Sequence, residues 1–304
     1  TAFHKSGLFM MPTLASIQVV FAGLVTVLFT AHYHLGELSF EVQAILVSIL
    51  MLVLGLPHGA LDHKIAGATG LVNTRKKLGL FFAGYLLLSI AGFIFWVTFP
   101  LASLLFFLLI SAWHFGSDFS KFSSLNFFSI IPGAAILTTP FVLYRNDDAQ
   151  IFSIFVDENN ANSLAVIGYY LAYLVIPISI TFAWLKSNIS LHDRLEFMIT
   201  LSAGLFLPPL IFLVVFFCIS HSLKHLSDLY FSLNFKTITT FLYALFPMTL
   251  LSYLFLGLIA LNYSSASSAA LSLKSVIILL SVLTIPHMIT VEYWKYWSRK
   301  SCVS

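Results

Sequence analysis

The sequence is poor in charge, in cysteine and in long polar stretches, and each shortage excludes a class of protein. Only 9% of its 304 residues are Asp, Glu, Lys or Arg, against about 25% in an average soluble domain. With 59% apolar residues and 31 Phe, it has more apolar surface than a soluble fold can bury. Two cysteines cannot form a disulfide framework, and a net charge of +3 does not favour nucleic-acid binding. An integral membrane protein remains.

Long apolar runs are what the sequence has in abundance. Each run is long enough to cross the bilayer as a helix, the element that satisfies its own backbone in lipid. Because Pro100 and the Pro208-Pro209 pair make two boundaries weak, we expect eight to ten spans in an all-α, polytopic helix bundle. No polar stretch could hold a second core, so residues 1–304 are expected to form a single transmembrane domain. The ten segments are approximately 12–31, 42–60, 78–98, 100–117, 125–144, 163–185, 194–207, 208–226, 238–260 and 272–294.

The placement of basic residues gives an expected orientation. If all ten segments cross and the N-terminus is cytoplasmic, every Lys and Arg except Arg145 and Lys274 falls on the cytoplasmic side. A bias of this kind is what the positive-inside rule describes. We therefore expect both termini to be cytoplasmic and the protein to be a multi-pass component of the cell (inner) membrane.

Ten histidines are the most informative feature of the sequence. Four of them, in terminal or loop positions, are expected to be solvated, and His63 lies just beyond a span. The other five lie on even-numbered spans, which all run in the same direction. Each comes roughly 14–18 residues after its span begins, about 21–27 Å along a helix axis, so five imidazoles are predicted at one depth. These are His58, His114, His221, His225 and His287.

This arrangement predicts a metal site built from facing helices. His221 and His225 are four residues apart and share one helix face. Nitrogen-only ligands suit Fe, Zn, Cu or Ni, and the lack of a neighbouring hydrolytic nucleophile or general base favours redox chemistry. Asp62 and Asp118 each follow a histidine by four residues, so we expect them to accept N–H bonds from imidazole ligands.

The motifs around these histidines resemble those of the Brp/Blh family of membrane β-carotene dioxygenases. The matching segments are Gly55-Leu-Pro-His-Gly-Ala-Leu-Asp-His63, His114-Phe-Gly-Ser-Asp118, His221-Ser-Leu-Lys-His225 and Ile285-Pro-His287. The resemblance implies Fe(II)-dependent cleavage of the central 15,15′ double bond of β-carotene by O₂. It also implies that the two all-trans-retinal products serve a rhodopsin apoprotein as acceptor.

Carried over residue by residue, the resemblance gives the catalytic, iron-binding set as His58, His114, His221 and His225. Asp62, His63, Asp118 and His287 match neighbouring motif positions and are expected to support those ligands. Aromatic residues beside them either line a slot for the carotenoid or face lipid. They are Trp113, Phe115 and Phe217.

Two alternative functions remain open from the sequence. A membrane di-iron hydroxylase or desaturase would need several clustered histidine boxes, whereas this chain has one HxxxH motif. A non-enzymatic transporter or carotenoid- or retinal-binding protein would fit intramembrane histidines and broken helices. However, the predicted histidine level lies away from the midplane of the bilayer.

Overall fold

The computed structural model describes residues 13–119, 129–187, 189–263 and 268–301, with only the backbone described for 298–301. Every regular element in these ranges is helical. Cys302 and His4, the histidine predicted to be solvated near the N-terminus, lie outside the described residues. The α-helices are α1 (Leu14–Leu35), α2 (Phe40–Leu50), α3 (Asp62–Ala68), α4 (Arg75–Thr98), α5 (Pro100–Asp118), α6 (Ile130–Thr138), α7 (Phe141–Ser153), α8 (Glu158–Leu185), α9 (Leu191–Phe206), α10 (Pro209–Val214), α11 (Leu223–Ser232), α12 (Ile238–Asn262) and α13 (Ser268–Ser301).

Eight helical segments in the described ranges are long and apolar enough to cross a membrane, which confirms the all-α polytopic bundle. Two of the ten predicted segments do not form such helices. The segment 125–144 is interrupted at Thr139-Pro140, so that it contributes the short α6 and the start of α7. The segment 194–207 corresponds to α9, which has 16 residues. The number of long spans therefore lies at the lower end of the predicted range.

Polar residues at the helix starts set where several helices begin. In each of these caps a side-chain oxygen accepts the backbone N–H three residues further on, which satisfies a donor that the first turn leaves free. In lipid or at its surface such a donor would otherwise cost free energy. The capping residues are Thr13, Ser39, Thr74, Asp157, Ser190 and Thr237.

Two spans contain irregular turns at the histidine level. The span Phe40–Ala68 changes to a π-helical turn at Met51–Gly55 and a tight 3₁₀ turn at Leu56–Gly59, where Pro57 has no N–H to continue the regular pattern. The span Pro209–Ser232 has a π-helical segment at Val215–Ser222. Such interruptions re-aim side chains and are often found at functional sites.

Carbonyls exposed by the first irregular turn are satisfied by side chains from other helices. Ser222 donates its hydroxyl to the Leu54 carbonyl at 2.7 Å, and Tyr253 of α12 donates to the Leu52 carbonyl at 3.0 Å. Such partners are what allow irregular backbone at membrane depth. The turn is therefore held in place by the helices packed around it.

The α5–α6 pair is packed backbone to backbone. A Cβ atom added at Gly116 would lie 1.7 Å from the Ser129 carbonyl oxygen, and one at Gly133 would lie 1.7 Å from the Ala112 carbonyl oxygen. Only glycine fits this close approach. The contact fixes the stretch of α5 that carries His114.

Candidate metal centre

His58 lies on the 3₁₀ turn that follows the π-helical turn, with its side chain buried. Its Nδ1 is 2.6 Å from the carbonyl oxygen of Gly55, so Nδ1 carries the proton that is donated to this carbonyl. The ring is thereby oriented, and the lone pair is left on Nε2. Phe217 packs edge-on against the ring, with 5.2 Å between centroids.

His114 and His221 meet His58 from two other spans. The Nε2 atoms of His114 and His221 are 3.0 Å apart, and both side chains are buried. The Nδ1 of His221 donates to the Asp118 carboxylate at 2.6 Å, which leaves the Nε2 lone pair facing His114. In the described chain, potential ligand atoms of His58, His114 and His221 all lie within 4.8 Å of one another.

His225 and His287 complete a cluster of five imidazoles. The ring centroids of His58 and His225 are 6.0 Å apart, and those of His58 and His287 are 4.8 Å apart. Among the described residues, the buried Nε2 atoms of both His225 and His287 have no hydrogen-bond partner. Five histidines predicted at one depth are thus brought together.

The two aspartates accept hydrogen bonds from imidazoles, but across helices and not from the histidine four residues earlier. Asp118 pairs with His221, and Asp62 is 2.9 Å from the Nδ1 of His287. The expected local pairing with His58 fails because the 3₁₀ turn re-aims this ring and gives its Nδ1 the Gly55 carbonyl instead. The Nε2 atom of His114 faces His221. The Asp118 carboxylate therefore pairs with His221 and not with His114.

His63 occupies a different environment from the five clustered histidines. Its Nδ1 is 3.1 Å from the Ala60 carbonyl oxygen, and its ring centroid lies 6.0 Å from that of Phe82 on α4. The side chain is only partly buried. These contacts stabilise the turn before α3 and do not extend to the imidazole cluster.

A partly buried ion pair next to the cluster was not predicted. Lys224, between His221 and His225 in sequence, lies 2.6 Å from the Glu196 carboxylate of α9. Gln18 of α1 also donates a hydrogen bond to Glu196. The sequence does place the Glu196 carboxylate within a predicted span. Ionisable side chains at such positions usually pair with another group, so a partner could have been expected.

Tyr85 of α4 is a further contributor that sequence analysis missed. Its hydroxyl donates to the Asp62 carboxylate at 3.1 Å, and both side chains are buried. A tyrosine in an apolar helix is too common to indicate this contact in advance. With the imidazole of His287, it satisfies the Asp62 oxygens.

An apolar cavity leads away from the imidazole cluster. It comprises about 880 Å³ of unoccupied space, including its open side, and His58 and His114 form one end. Its wall includes regularly spaced rows from two helices, which place it along their axes. The rows are Leu104, Phe107, Leu108, Ser111 and His114 of α5, and Leu273, Ile277, Leu280 and Thr284 of α13.

The lining of the cavity shows which of the three aromatic residues named above face it. Phe115 and Phe217 line it, whereas Trp113 is 44% exposed on the outside of the bundle. Thr284 donates its hydroxyl back to the Leu280 carbonyl at 2.7 Å, so it does not present an unpaired donor to the cavity. The space suits an elongated hydrocarbon.

A smaller cavity lies on the other side of His58. Its lining contains both polar and apolar groups and includes Tyr85 of α4 and Met248 of α12. It shares His58, Leu280 and Thr284 with the large cavity. His58 therefore borders a second, much smaller space as well as the large apolar one.

Comparison with known proteins identifies the family of this chain. A family model described as β-carotene 15,15′-dioxygenase matches residues 49–295, a range that contains all five clustered histidines. A relative named β-carotene 15,15′-dioxygenase, from uncultured marine bacterium 66A03, is 30% identical over 258 residues. The alignment covers 80% of this chain and 91% of the relative. No solved structure matches the chain. The chain belongs to the β-carotene 15,15′-dioxygenase family and is an oxygenase of the membrane.

Proposed function

We propose that this protein cleaves the central 15,15′ double bond of β-carotene with O₂ in an Fe(II)-dependent reaction and releases two molecules of all-trans-retinal. The observation that carries the proposal is the imidazole cluster at one end of a large apolar cavity. The family assignment favours this function over a transporter or a di-iron hydroxylase.

The residues present fit a divalent iron ion. In the proposal His58, His114, His221 and His225 hold it through ring nitrogens. The buried Nε2 of His225 has no hydrogen-bond partner within the described part of the chain, and a ligand role explains this. Imidazole nitrogen is a suitable ligand for Fe(II). When bound, iron supplies the binding and activation of O₂ that a carbon–carbon double bond requires.

Groups of the protein itself, both backbone and side chain, have three tasks in this reaction. The Gly55 carbonyl and the Asp118 carboxylate fix the rings of His58 and His221 through their Nδ1 atoms, which raises the basicity of the opposite nitrogens. The apolar walls align the polyene and exclude water from the reacting carbons. The two helical rows keep the hydrocarbon extended.

The reaction balances without a reductant. The central C=C bond breaks, and each of its two carbons takes one oxygen atom from O₂ to become an aldehyde carbon. No proton has to enter or leave, and the described residues that line the large cavity include no Asp, Glu, Lys or Arg, which is consistent with the chemistry. Isotopic O₂ should therefore label both aldehydes.

The cellular setting is part of the proposal. β-Carotene dissolves in the hydrocarbon of the bilayer, so a multi-pass protein can take it up without passage through water. We assign the chain to the cell (inner) membrane as a single transmembrane domain with both termini cytoplasmic, following the placement of its Lys and Arg residues. A rhodopsin apoprotein in the same membrane is the proposed acceptor of the retinal.

Expression of the His221→Ala variant in carotene-producing cells tests the function. Wild type is expected to remove the orange colour and to form retinal, measured by chromatography. The variant should lose at least a hundredfold of retinal formation, because the ring and its Asp118 contact are both removed. The same substitution at the exposed His192 is the matched control and should act like wild type.

Two results would contradict the proposal. Undiminished retinal formation by His221→Ala at equal protein levels would exclude the ligand role of this residue. Wild-type protein that binds iron but leaves β-carotene intact in the presence of O₂ would exclude the reaction itself.

A further inference from the structure

We propose that the Nε2 atom of His287 is an additional ligand of the same metal ion, with Asp62 as the carboxylate that orients it. The inference rests on the proposed function, because it presupposes a metal among the imidazoles. The proposal changes the role expected for His287 from a supporting residue to a direct ligand. It also adds a fourth ligand-bearing span, α13, to the three spans that carry His58, His114 and the His221–His225 pair.

The position of the His287 ring is the first argument. Its centroid is 4.8 Å from that of His58, 5.4 Å from that of His114 and 5.4 Å from that of His225. The ring therefore contacts three members of the cluster from a separate helix. Its side chain is buried, with 2% of the residue exposed.

The hydrogen bonds of the ring are the second argument. Nδ1 of His287 lies 2.9 and 3.0 Å from the two Asp62 carboxylate oxygens, so the proton is on Nδ1 and the lone pair on Nε2. His221 has the same arrangement, with Nδ1 bonded to Asp118 and Nε2 facing His114. Carboxylate–imidazole–metal units have this pattern.

The unsatisfied atom is the third argument. Nε2 of His287 is buried and has no partner among the described residues. In a membrane interior an unsatisfied polar atom costs free energy. A second proton on this ring would not help, because its N–H would then lack an acceptor. A metal ion bound to Nε2 satisfies the atom.

The charge of Asp62 is the fourth argument. Its carboxylate is 0% exposed, and the groups that contact it, Tyr85 and His287, are hydrogen-bond donors. A buried carboxylate without a cation is unfavourable. A divalent ion reached through His287 supplies positive charge, and Asp118, bonded to His221, supplies the second carboxylate that balances it.

Local sequence explains how the ring reaches this position. Pro286 directly precedes His287 within α13 and removes one backbone N–H from the helix. Gly59 lies opposite, where an added Cβ would be 3.4 Å from the Nδ1 of His287. The backbone of the 3₁₀ turn therefore passes close to the ring at this point.

Metal binding by the full-length chain in detergent tests the proposal. The protein is stripped with a chelator and titrated with Co²⁺, whose visible absorption reports its ligands. The His287→Gln variant is expected to bind Co²⁺ at least tenfold more weakly than wild type, with an altered absorption band and one imidazole fewer by X-ray absorption. His192→Gln, the same change at an exposed histidine, should bind like wild type.

Asp62→Asn is the second variant, and it keeps the His287 ring in place. It is expected to weaken Co²⁺ binding by roughly 10- to 100-fold, as loss of a carboxylate behind an imidazole ligand does. If His287→Gln cannot be purified as a folded protein, this variant alone decides: unchanged Co²⁺ affinity overturns the proposal.

The outcomes separate this inference from the proposed function. A His287→Gln variant with wild-type affinity and an unchanged imidazole count overturns the ligand role of His287 and leaves the proposed function intact. Wild-type protein that takes up neither Co²⁺ nor Fe²⁺ overturns both. Weakened binding with fewer imidazoles supports the inference, even where cleavage of β-carotene is not measured.

Discussion

The depth of the apolar cavity predicts which bond of the carotenoid reaches the imidazole cluster. Along α5 the wall extends from His114 back to Leu104, ten residues or about 15 Å at 1.5 Å per residue. Along α13 it extends from Thr284 to Leu273, about 16 Å on the same basis. This length is comparable to one half of an extended carotenoid, so the middle of the molecule lies at the histidines.

Leu108→Trp tests this idea, because residue 108 lines the cavity about 9 Å along the helix from His114. The indole shortens the available length to less than half of the substrate. Overpacking typically costs about 1–3 kcal/mol, which at 1.36 kcal/mol per tenfold predicts kcat/KM for β-carotene roughly 5- to 160-fold lower. Retinal formation by purified protein in lipid vesicles measures it.

The neighbouring residue provides a matched control. Leu109 is 56% exposed on the outer surface of the bundle, so Leu109→Trp should retain wild-type kcat/KM. Equal activities of the two variants would refute a substrate position in this cavity. Ile151 closes the cavity towards a polar space lined by Glu37 and Asp147, so Ile151→Ala should lengthen it and produce some unequal aldehydes. Retinal as the sole product of Ile151→Ala would count against a length-determined cleavage position.

Three further predictions concern stability in detergent, measured by thermal or denaturant unfolding. Glu196→Gln should cost about 1.5–3 kcal/mol because it removes the charged hydrogen-bond partner of the partly buried Lys224, and Lys224→Met added to it should restore part of this loss; additive effects would contradict a coupled pair. Gly133→Ala should prevent folding or lower the unfolding temperature sharply, since its Cβ would meet the Ala112 carbonyl, whereas Gly84→Ala, with open space around its Cβ, should be tolerated. Burial, and then the charge of Asp147, raise the pKa of Asp148 well above its usual value. The pKa of Asp148 is higher in the folded protein than in the unfolded chain, where it is about 3.9. The contribution of this carboxyl to stability is therefore fully present below the unfolded pKa and is lost as pH rises through the folded pKa. Asp148→Asn should therefore raise the unfolding temperature at about pH 8 but hardly at about pH 4, and an equal shift at both would refute this.

The sequence predicts the class of fold because a bilayer leaves few solutions for long apolar runs. It predicts the clustering of five histidines for a related reason: helices have a fixed rise, so position along a span gives depth. The boundaries within 125–144 and 194–207 were less predictable. In the first segment a proline divides what could be one long helix, and in the second the apolar run is short. Hydropathy alone does not distinguish one long helix from shorter ones in either segment.

The pairing of carboxylates with imidazoles was only partly predictable. Spacing of four residues correctly selects Asp62 and Asp118 as imidazole partners, but it assigns them to histidines of their own segments. The actual partners, His287 and His221, depend on how the irregular turns rotate side chains after packing. The Glu196–Lys224 pair and the Tyr85 contact also join distant parts of the chain, so no local pattern specifies them.

The π-helical turn before His58 has a consequence for the order in which the protein is made. Its Leu52 carbonyl is satisfied by Tyr253, 201 positions later in the chain, and its Leu54 carbonyl by Ser222, 168 positions later. The ribosome delivers the second span before either partner has been made, so these two carbonyls lack their hydroxyl donors until Ser222 and Tyr253 have been added to the chain. A chain truncated before Tyr253 therefore lacks a contact that supports the turn before His58.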